Sequence, residues 1–296
     1  MLKNLNQVKI GYTHTGVFHA DDVFAAALLQ IINPNIEIRR ISDCNLAFID
    51  DDDETIIFDI GRGQYDHHQT DKATRPMEDG YYVNRSNGEV LPIPYCSFGL
   101  LWRDYGRLLC PKEKAWRKVD RDLVLGIDKA DNGVSANALA SAIGQLNPAW
   151  NDYEADPDLC FESAVSVAAP ILANYIHRAN AEAEAERLIF ASYVHKARIL
   201  VLDQYMPWAD TVVNTMPQIL FVVHPSNRGG YAVQAVPKET GSMEKRCLFP
   251  TKWLGNPDES LGMFFCHTGN FTLSCHTEAQ AIHCAEIAAG LAEKAS

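Results

Sequence analysis

The sequence predicts an α/β protein, a parallel sheet flanked by helices, with a second, smaller α+β domain after it. Three observations carry that reading. Short β-branched runs alternate with helical stretches in the first half of the chain. Strand-like runs take over after Arg198. His and Asp clusters fall just past the C-terminal ends of two predicted strands, where open α/β sheets bind ligands. The 296 residues, 47% of them hydrophobic, suffice for one large or two ordinary domains with a buried core.

Val8 to Tyr12 reads as the first strand, and Asp22 to Leu29 opens a helix that Asn33-Pro34 closes. Ile36 to Ile41 is the second strand. The acidic run Asp50 to Glu54 is a solvated turn rather than a calcium loop, and Thr55 to Phe58 is the third strand. Gly61-Arg62-Gly63 is too short to cradle a phosphate; it is read as a tight turn that swings Asp66-His67-His68 back to the sheet edge. Residues 70–94, rich in Pro, Gly, Asn and charge, read as a loop or lid near the site. Helices are expected over Cys96–Leu109 and Glu113–Ile127. The second runs into Asp128-Lys129-Ala130-Asp131-Asn132-Gly133, where an acidic residue is either part of an αL cap or the last metal ligand. Strong helix formers occupy about 159–196, and Pro170 divides them into two helices. Strands follow at Ile199–Leu202, Ile219–Val223, Tyr231–Val236 and Met263–Cys266, then a terminal helix over Glu278–Leu291.

Composition narrows the function. No stretch approaches the roughly 20 uninterrupted apolar residues that cross a bilayer, and the first residues lack the apolar core of a signal peptide, so a cytoplasmic protein without a membrane partner is expected. The eight cysteines are widely spread with no Cys-x-x-Cys pair, which suits free thiols. A net charge of −12 argues against a protein that coats nucleic acid with its whole surface. From residue 195 onward eight Lys/Arg face nine Asp/Glu, so that part carries −1 and the first 194 residues carry −11.

The chemistry lies in the first 70 residues, which hold four of the ten histidines. His14, His19-Ala20-Asp21-Asp22, the lone Asp59 and Asp66-His67-His68 form a mixed imidazole and carboxylate set. Such a set suits manganese, iron, cobalt or zinc, and a carboxylate can bridge two ions. Without cations the converging carboxylates would repel one another and titrate abnormally.

The order of these motifs, closed by Ala130-Asp131-Asn132-Gly133, resembles the successive motifs of the DHH phosphoesterases. Thr13-His14-Thr15-Gly16-Val17-Phe18-His19-Ala20-Asp21-Asp22 and Tyr65-Asp66-His67-His68-Gln69 look most like the melanocyte-proliferating-gene family, metal-dependent RNA exonucleases. Met206-Pro207-Trp208 and Phe265-Cys266-His267-Thr268-Gly269-Asn270-Phe271 are similar to that family too. The resemblance implies a catalytic DHH-type metal-binding domain over 1–190, with a helical linker at about 159–196, and a substrate-binding domain over 197–296. It implies two divalent ions, manganese the expected pair. His14, His19 and Asp59 would hold one ion; Asp21, Asp59, His67 and either Asp131 or Asp128 the other, Asp131 being favoured. His68 would face the substrate phosphate, Asp66 would orient the histidines, and Asp22 is a further catalytic candidate. Two departures stand out: His19 replaces an Asp common in DHH enzymes, and Thr272-Leu273-Ser274-Cys275-His276-Thr277 replaces a glycine-rich substrate loop.

The expected reaction is phosphodiester hydrolysis by a metal-activated water, as a 3′-5′ exonuclease on RNA or short oligonucleotides. Phosphate contacts are expected from Arg246 first, then Lys245, Arg228 and Lys252, with His267 and His276 also on the substrate. Trp253 and Phe271 are candidates to stack bases. A small-molecule phosphatase or pyrophosphatase and a non-catalytic metal- or nucleotide-binding regulator are the alternatives, and a homodimer is left open. Cys266-His267, Cys275-His276 and His283-Cys284 fit no common structural zinc spacing.

Overall fold

Ile10–His14 (β1) is the middle strand of a three-stranded parallel sheet. Parallel neighbours need a crossover, which Ala20–Ile32 (α1) supplies on the way to Glu37–Ile41 (β2). The short helix Asp43–Leu46 (α2) leads to Thr55–Ile57 (β3), which pairs with β1 on its other side. β1 and β3 are adjacent and parallel, so the chain leaves both at the same sheet edge. The computed structural model describes residues 2–50, 52–194 and 196–290. Asp51 in the acidic turn, His195 at the end of the expected linker and Leu291 of the terminal helix lie outside them.

Residues 70–94 are not all loop. Tyr81–Val83 (β4) and Val90–Pro92 (β5) form a hairpin. Asn84 Oδ1 accepts from the Ser86 N–H at 3.0 Å, and Gly88 takes the left-handed conformation (φ 73°) that closes the turn. Ser97–Leu109 (α3) follows. Glu113–Val119 (α4), a π-helical turn at Asp120–Val124 and Leu125–Asp131 (α5) run on as one helical rod, longer than expected. Ala138–Gly144 (α6) starts at Asn137, whose side chain accepts from the Ala140 N–H. α1 is buried from Ala20 to Leu29 because it packs against α3, α5 and α6, with Phe24 and Phe98 5.5 Å apart between ring centres.

Pro170 does not divide the next segment. Pro157–Ser192 (α7) is a single 36-residue helix. A helical proline forfeits one backbone hydrogen bond, about 3 kcal/mol. Buried Phe161, Val165 and Ala168 before it, and Leu172 and Ile176 after it, anchor both halves, each large side chain contributing about 1.5–3 kcal/mol. By length and composition alone this helix contains a stretch apolar enough to cross a bilayer, and one third of that stretch is buried.

The chain divides into two compact units, Met1–Asn180 and Ala181–Ser296. In the second, Ile199–Val201 (β6) precedes Ala209–Thr215 (α8), then Phe221–Pro225 (β7), Tyr231–Ala235 (β8), Met263–Cys266 (β9), Thr272–Cys275 (β10) and Glu278–Ala289 (α9). The sheet order is β6-β7-β8-β10-β9, with β6 and β7 parallel and the other pairs antiparallel. β10 occupies most of the stretch read as replacing a glycine-rich substrate loop; its buried Leu273 and Cys275 alternate with half-buried Thr272 and Ser274, as a strand requires. α9 covers one face through Ala281, Cys284 and Ala285, while α8 and Trp208 pack on Leu200, Val222 and Val236 of the other. All eight cysteines are free. Cys275 Sγ and Cys284 Sγ lie 3.6 Å apart in this core, and no cluster of metal-ligand geometry forms from the C-terminal Cys-His pairs among the described residues.

Candidate metal centre

The loop from β1 to α1 is fixed at both ends and in the middle. His14 closes β1, Gly16 turns the chain with φ 93°, and His19 caps α1, where Asp22 Oδ1 accepts from the His19 N–H at 3.0 Å. Arg40 of β2 donates to the carbonyls of His14 and Gly16 and pairs with Asp158 at 2.9 Å. Asn147 accepts from the Phe18 N–H at 3.0 Å and donates to the Phe18 carbonyl at 2.8 Å. Asp21 and Asp22 occupy the first turn of α1, where the helix dipole favours negative charge.

Past β3, Asp59 has a left-handed backbone (φ 57°), a strained conformation found at functional sites. Its N–H donates to the Tyr65 carbonyl at 3.0 Å, and the Ser97 hydroxyl donates to the same oxygen at 2.9 Å, which pins the turn back toward the sheet. Asp66 Oδ1 accepts from both the main-chain N–H of His68 (3.0 Å) and its ring Nδ1 (2.7 Å). Asp131 arrives from the end of α5.

These side chains converge on Asp59. Its Oδ2 lies 3.3 Å from His14 Nε2, and its Oδ1 lies 3.1 Å from His67 Nε2. His14 Nε2 is also 3.3 Å from Asp22 Oδ2. His67 Nε2 is 3.4 Å from Asp21 Oδ2 and 3.2 Å from Asp131 Oδ2. One ring nitrogen carries one proton, so it cannot serve three carboxylates. Accordingly both Asp21 oxygens, Asp22 Oδ2, Asp59 Oδ1 and Asp131 Oδ2 are buried without a hydrogen-bond partner, each costing about 1–3 kcal/mol or more as a charged group.

The electrostatics reflect the crowding. Burial and the charges of Asp21 and Asp59 push Asp22 well up from the carboxylate range. Burial and Asp21 push Asp131 up to about 8. For the rings burial works the other way, yet the hydrogen bond to Asp59 and the charge of Asp22 raise His14 to about 9. Asp21 and Asp59 likewise raise His67 to about 10 against its burial. Burial opposes ionisation of Asp59, but His14 and His67 together hold it below its ordinary value. Divalent cations would relieve this arrangement, offsetting the charge of Asp21, Asp22, Asp59 and Asp131 and satisfying several orphaned oxygens at once.

Ligand atoms within metal-binding reach of one another fall into three groups: His14, Asp22 and Asp59; Asp59, His67 and His68; and His19, Asp21 and Asp131. Asp59 belongs to two of them, as a bridging ligand must. His19 groups with Asp21 and Asp131 instead of with His14, and Asp22 stands among the ligand candidates. The residues present therefore fit divalent metal binding.

Residues 9–289 match the MYG1 exonuclease family, described as Uncharacterised protein family (UPF0160). The chain belongs to that family. The MYG1 exonuclease of Rattus norvegicus is 25% identical to it over 92% of this chain and 82% of its own length. The Homo sapiens MYG1 exonuclease is 26% identical over 88% and 80%, and the Saccharomyces cerevisiae MYG1 protein 24% identical over 88% and 89%. Among solved structures, a pGpG-specific phosphodiesterase from Vibrio cholerae aligns with 96% of this chain and 98% of its own at a TM-score of 0.32 and 12% identity, too loose to inform the site.

Several expected site residues of this MYG1 family member are engaged elsewhere. Asp128 is engaged away from the cluster: Arg75 Nε donates to its Oδ2 at 2.5 Å and the Cys96 N–H to its Oδ1 at 2.9 Å, and it belongs to none of the three ligand groups. Arg246 is not free for phosphate, because its guanidinium donates to the carbonyls of Val213, Met216 and Ile219. Trp253 is a core residue, 2% exposed. His267 packs with its ring tilted against Phe271 and His276 against Phe264, both in the second unit, where His267 also lines a cleft. Sequence reasoning missed Arg40, Arg75 and Asn147, the clamps around the ligands. Their partners lie 26 to 129 residues away, so no local pattern marks them.

Proposed function

We propose that this protein is a two-metal phosphoesterase of DHH type, acting as a 3′-5′ exonuclease on RNA or short oligonucleotides, with manganese as its metal. The observation that carries the reading is Asp59, whose two oxygens face two different histidines inside a ring of three further carboxylates. His14, His19, Asp21, Asp22, Asp59, His67 and Asp131 would hold the ions. Divalent ions held there would supply polarisation of a phosphoryl oxygen and a lowered pKa for the attacking water.

The chain's own residues do the rest. Asp66 accepts from Nδ1 of His68 and so orients this half-exposed ring; only the doubly protonated ring would donate from Nε2 to a substrate phosphate. Four carboxylates neutralise two divalent ions, so attraction of an anionic substrate falls to cationic side chains near the centre. Arg62 is such a cation, lining with His68 a cavity of about 460 Å³ beside His14 and Asp59. The Ala181–Ser296 unit would bind the rest of the substrate.

The acidic balance of the chain favours a second reading, a small-molecule phosphatase on the same metals. A 5′-labelled short RNA, incubated with metal-stripped protein and added manganese, magnesium or zinc, separates the two. A manganese-dependent ladder of shortened, still-labelled products supports the exonuclease. Intact RNA with hydrolysis of a small phosphoester supports the phosphatase, and no turnover of either contradicts both.

A further inference from the structure

The five-stranded sheet of the second unit has an open region. Val223, Val233 and Leu273 pack with α9, so the intervening positions of the same strands point to the opposite face. Strand register there aligns one row across four strands. His224 of β7 lies opposite Ala232 of β8, Ala232 opposite Ser274 of β10, and Ser274 opposite Phe265 of β9. The middle members are small and the outer ones are rings, which makes a low floor between two walls about 14 Å apart at the backbone, three strand spacings. All four residues line a cleft of about 740 Å³, together with Tyr205 and Arg228.

The walls have specific chemistry. His224 is only 4% exposed, and its Nδ1 lies 2.8 Å from the Pro225 carbonyl. A carbonyl only accepts, so Nδ1 carries the proton and Nε2 of the neutral ring is a bare acceptor. That Nε2 is buried and has no hydrogen-bond partner. A buried, unpaired acceptor lining a cleft calls for a donor on whatever enters it. Tyr205 packs edge-on against the same ring, 5.1 Å between centres, and holds its orientation. On the opposite wall Phe264 and Phe265 are 41% and 43% exposed, unusual for phenylalanine and suited to stacking on a flat ring. The Trp208 indole N–H donates to Gln234 Oε1 at 3.0 Å, which leaves the Gln234 amide hydrogens as donors at the same cleft. Arg228 supplies a cation at the rim. Gly230 (φ 64°), two residues on, has no room for a side chain, since a Cβ there would stand 2.3 Å from the Cys275 carbonyl.

We propose that this cleft binds a nucleobase carrying an exocyclic amino group, with the amine donating to His224 Nε2, the ring stacked on Phe265 and the phosphate toward Arg228. The choice of a nucleotide rests on the phosphoesterase reading above. Adenosine 5′-monophosphate and purine riboside 5′-monophosphate differ only in that amino group. Calorimetric titration of each into the intact chain, in EDTA to silence the metal centre, tests the proposal without turnover. The wild type is expected to bind the adenosine nucleotide about tenfold more tightly, the effect of one hydrogen bond to a buried acceptor. His224→Phe should bind the two equally, and Ala232→Leu, which raises the floor, should lose both. No binding of either by the wild type, equal binding of both, or unchanged preference in His224→Phe overturns the proposal. If the RNA assay fails while the amino-group preference holds, the catalytic reading falls and the cleft stands; turnover without the preference gives the reverse.

Discussion

At the scale of single residues, Asp59 and His68 separate metal binding from catalysis. Asp59→Asn keeps a residue type that tolerates the left-handed backbone and removes the charge shared between the His14 and His67 sides. Metal-dependent turnover is expected to fall more than about 100-fold, beyond the range typical of groups that merely support a ligand, with bound metal lost by elemental analysis. Unchanged turnover with full metal would remove Asp59 from the centre. His68→Ala is expected to keep the metal and slow turnover, because its Nδ1 is already bonded to Asp66. Loss of metal in this variant would make His68 a ligand, which its grouping with Asp59 and His67 allows geometrically.

At the scale of elements, the ligands are precise because clamps from distant helices hold the segments that carry them. Arg75, nearly fully buried, donates bidentately to Asp120 and through Nε to Asp128, and so ties the segment after the Asp66-His67-His68 motif to the π-turn and α5. Asp131 sits one turn beyond Asp128 on α5. Arg75→Met leaves Asp128 buried and uncompensated, a loss of about 3–5 kcal/mol expected in urea unfolding; a change under 1 kcal/mol would show that the pair is not structural. The sequence conveyed the elements with strong local signals. Thr55-Ile56-Ile57 read as a strand because β-branched residues announce one, and the α6 cap at Asn137 went unnoticed because Ser, Asn and Ala are mixed there. The Tyr81–Pro92 hairpin was hidden by its polar turn, and Pro170 misled because tertiary packing along α7 outweighs one lost hydrogen bond. That Asp128 is held by Arg75, 53 residues before it, is a fact no local pattern could reveal.

At the scale of the whole molecule, metal binding and folding are linked. The orphaned carboxylates destabilise the metal-free fold, and ions that bind only the folded chain stabilise it by mass action, about 2.7 kcal/mol at a hundredfold excess over Kd. Manganese is therefore expected to raise the unfolding midpoint of stripped protein and EDTA to lower it again, read by differential scanning calorimetry; a midpoint indifferent to both would mean that the cluster binds no metal. The central claim is a two-ion centre bridged by Asp59, and metal stoichiometry tests it most directly. Stripped protein reloaded with manganese, desalted and analysed for metal per chain is expected to hold two ions in the wild type and fewer than one in Asp59→Asn. One ion or none in the wild type, or two retained in the variant, would contradict the account.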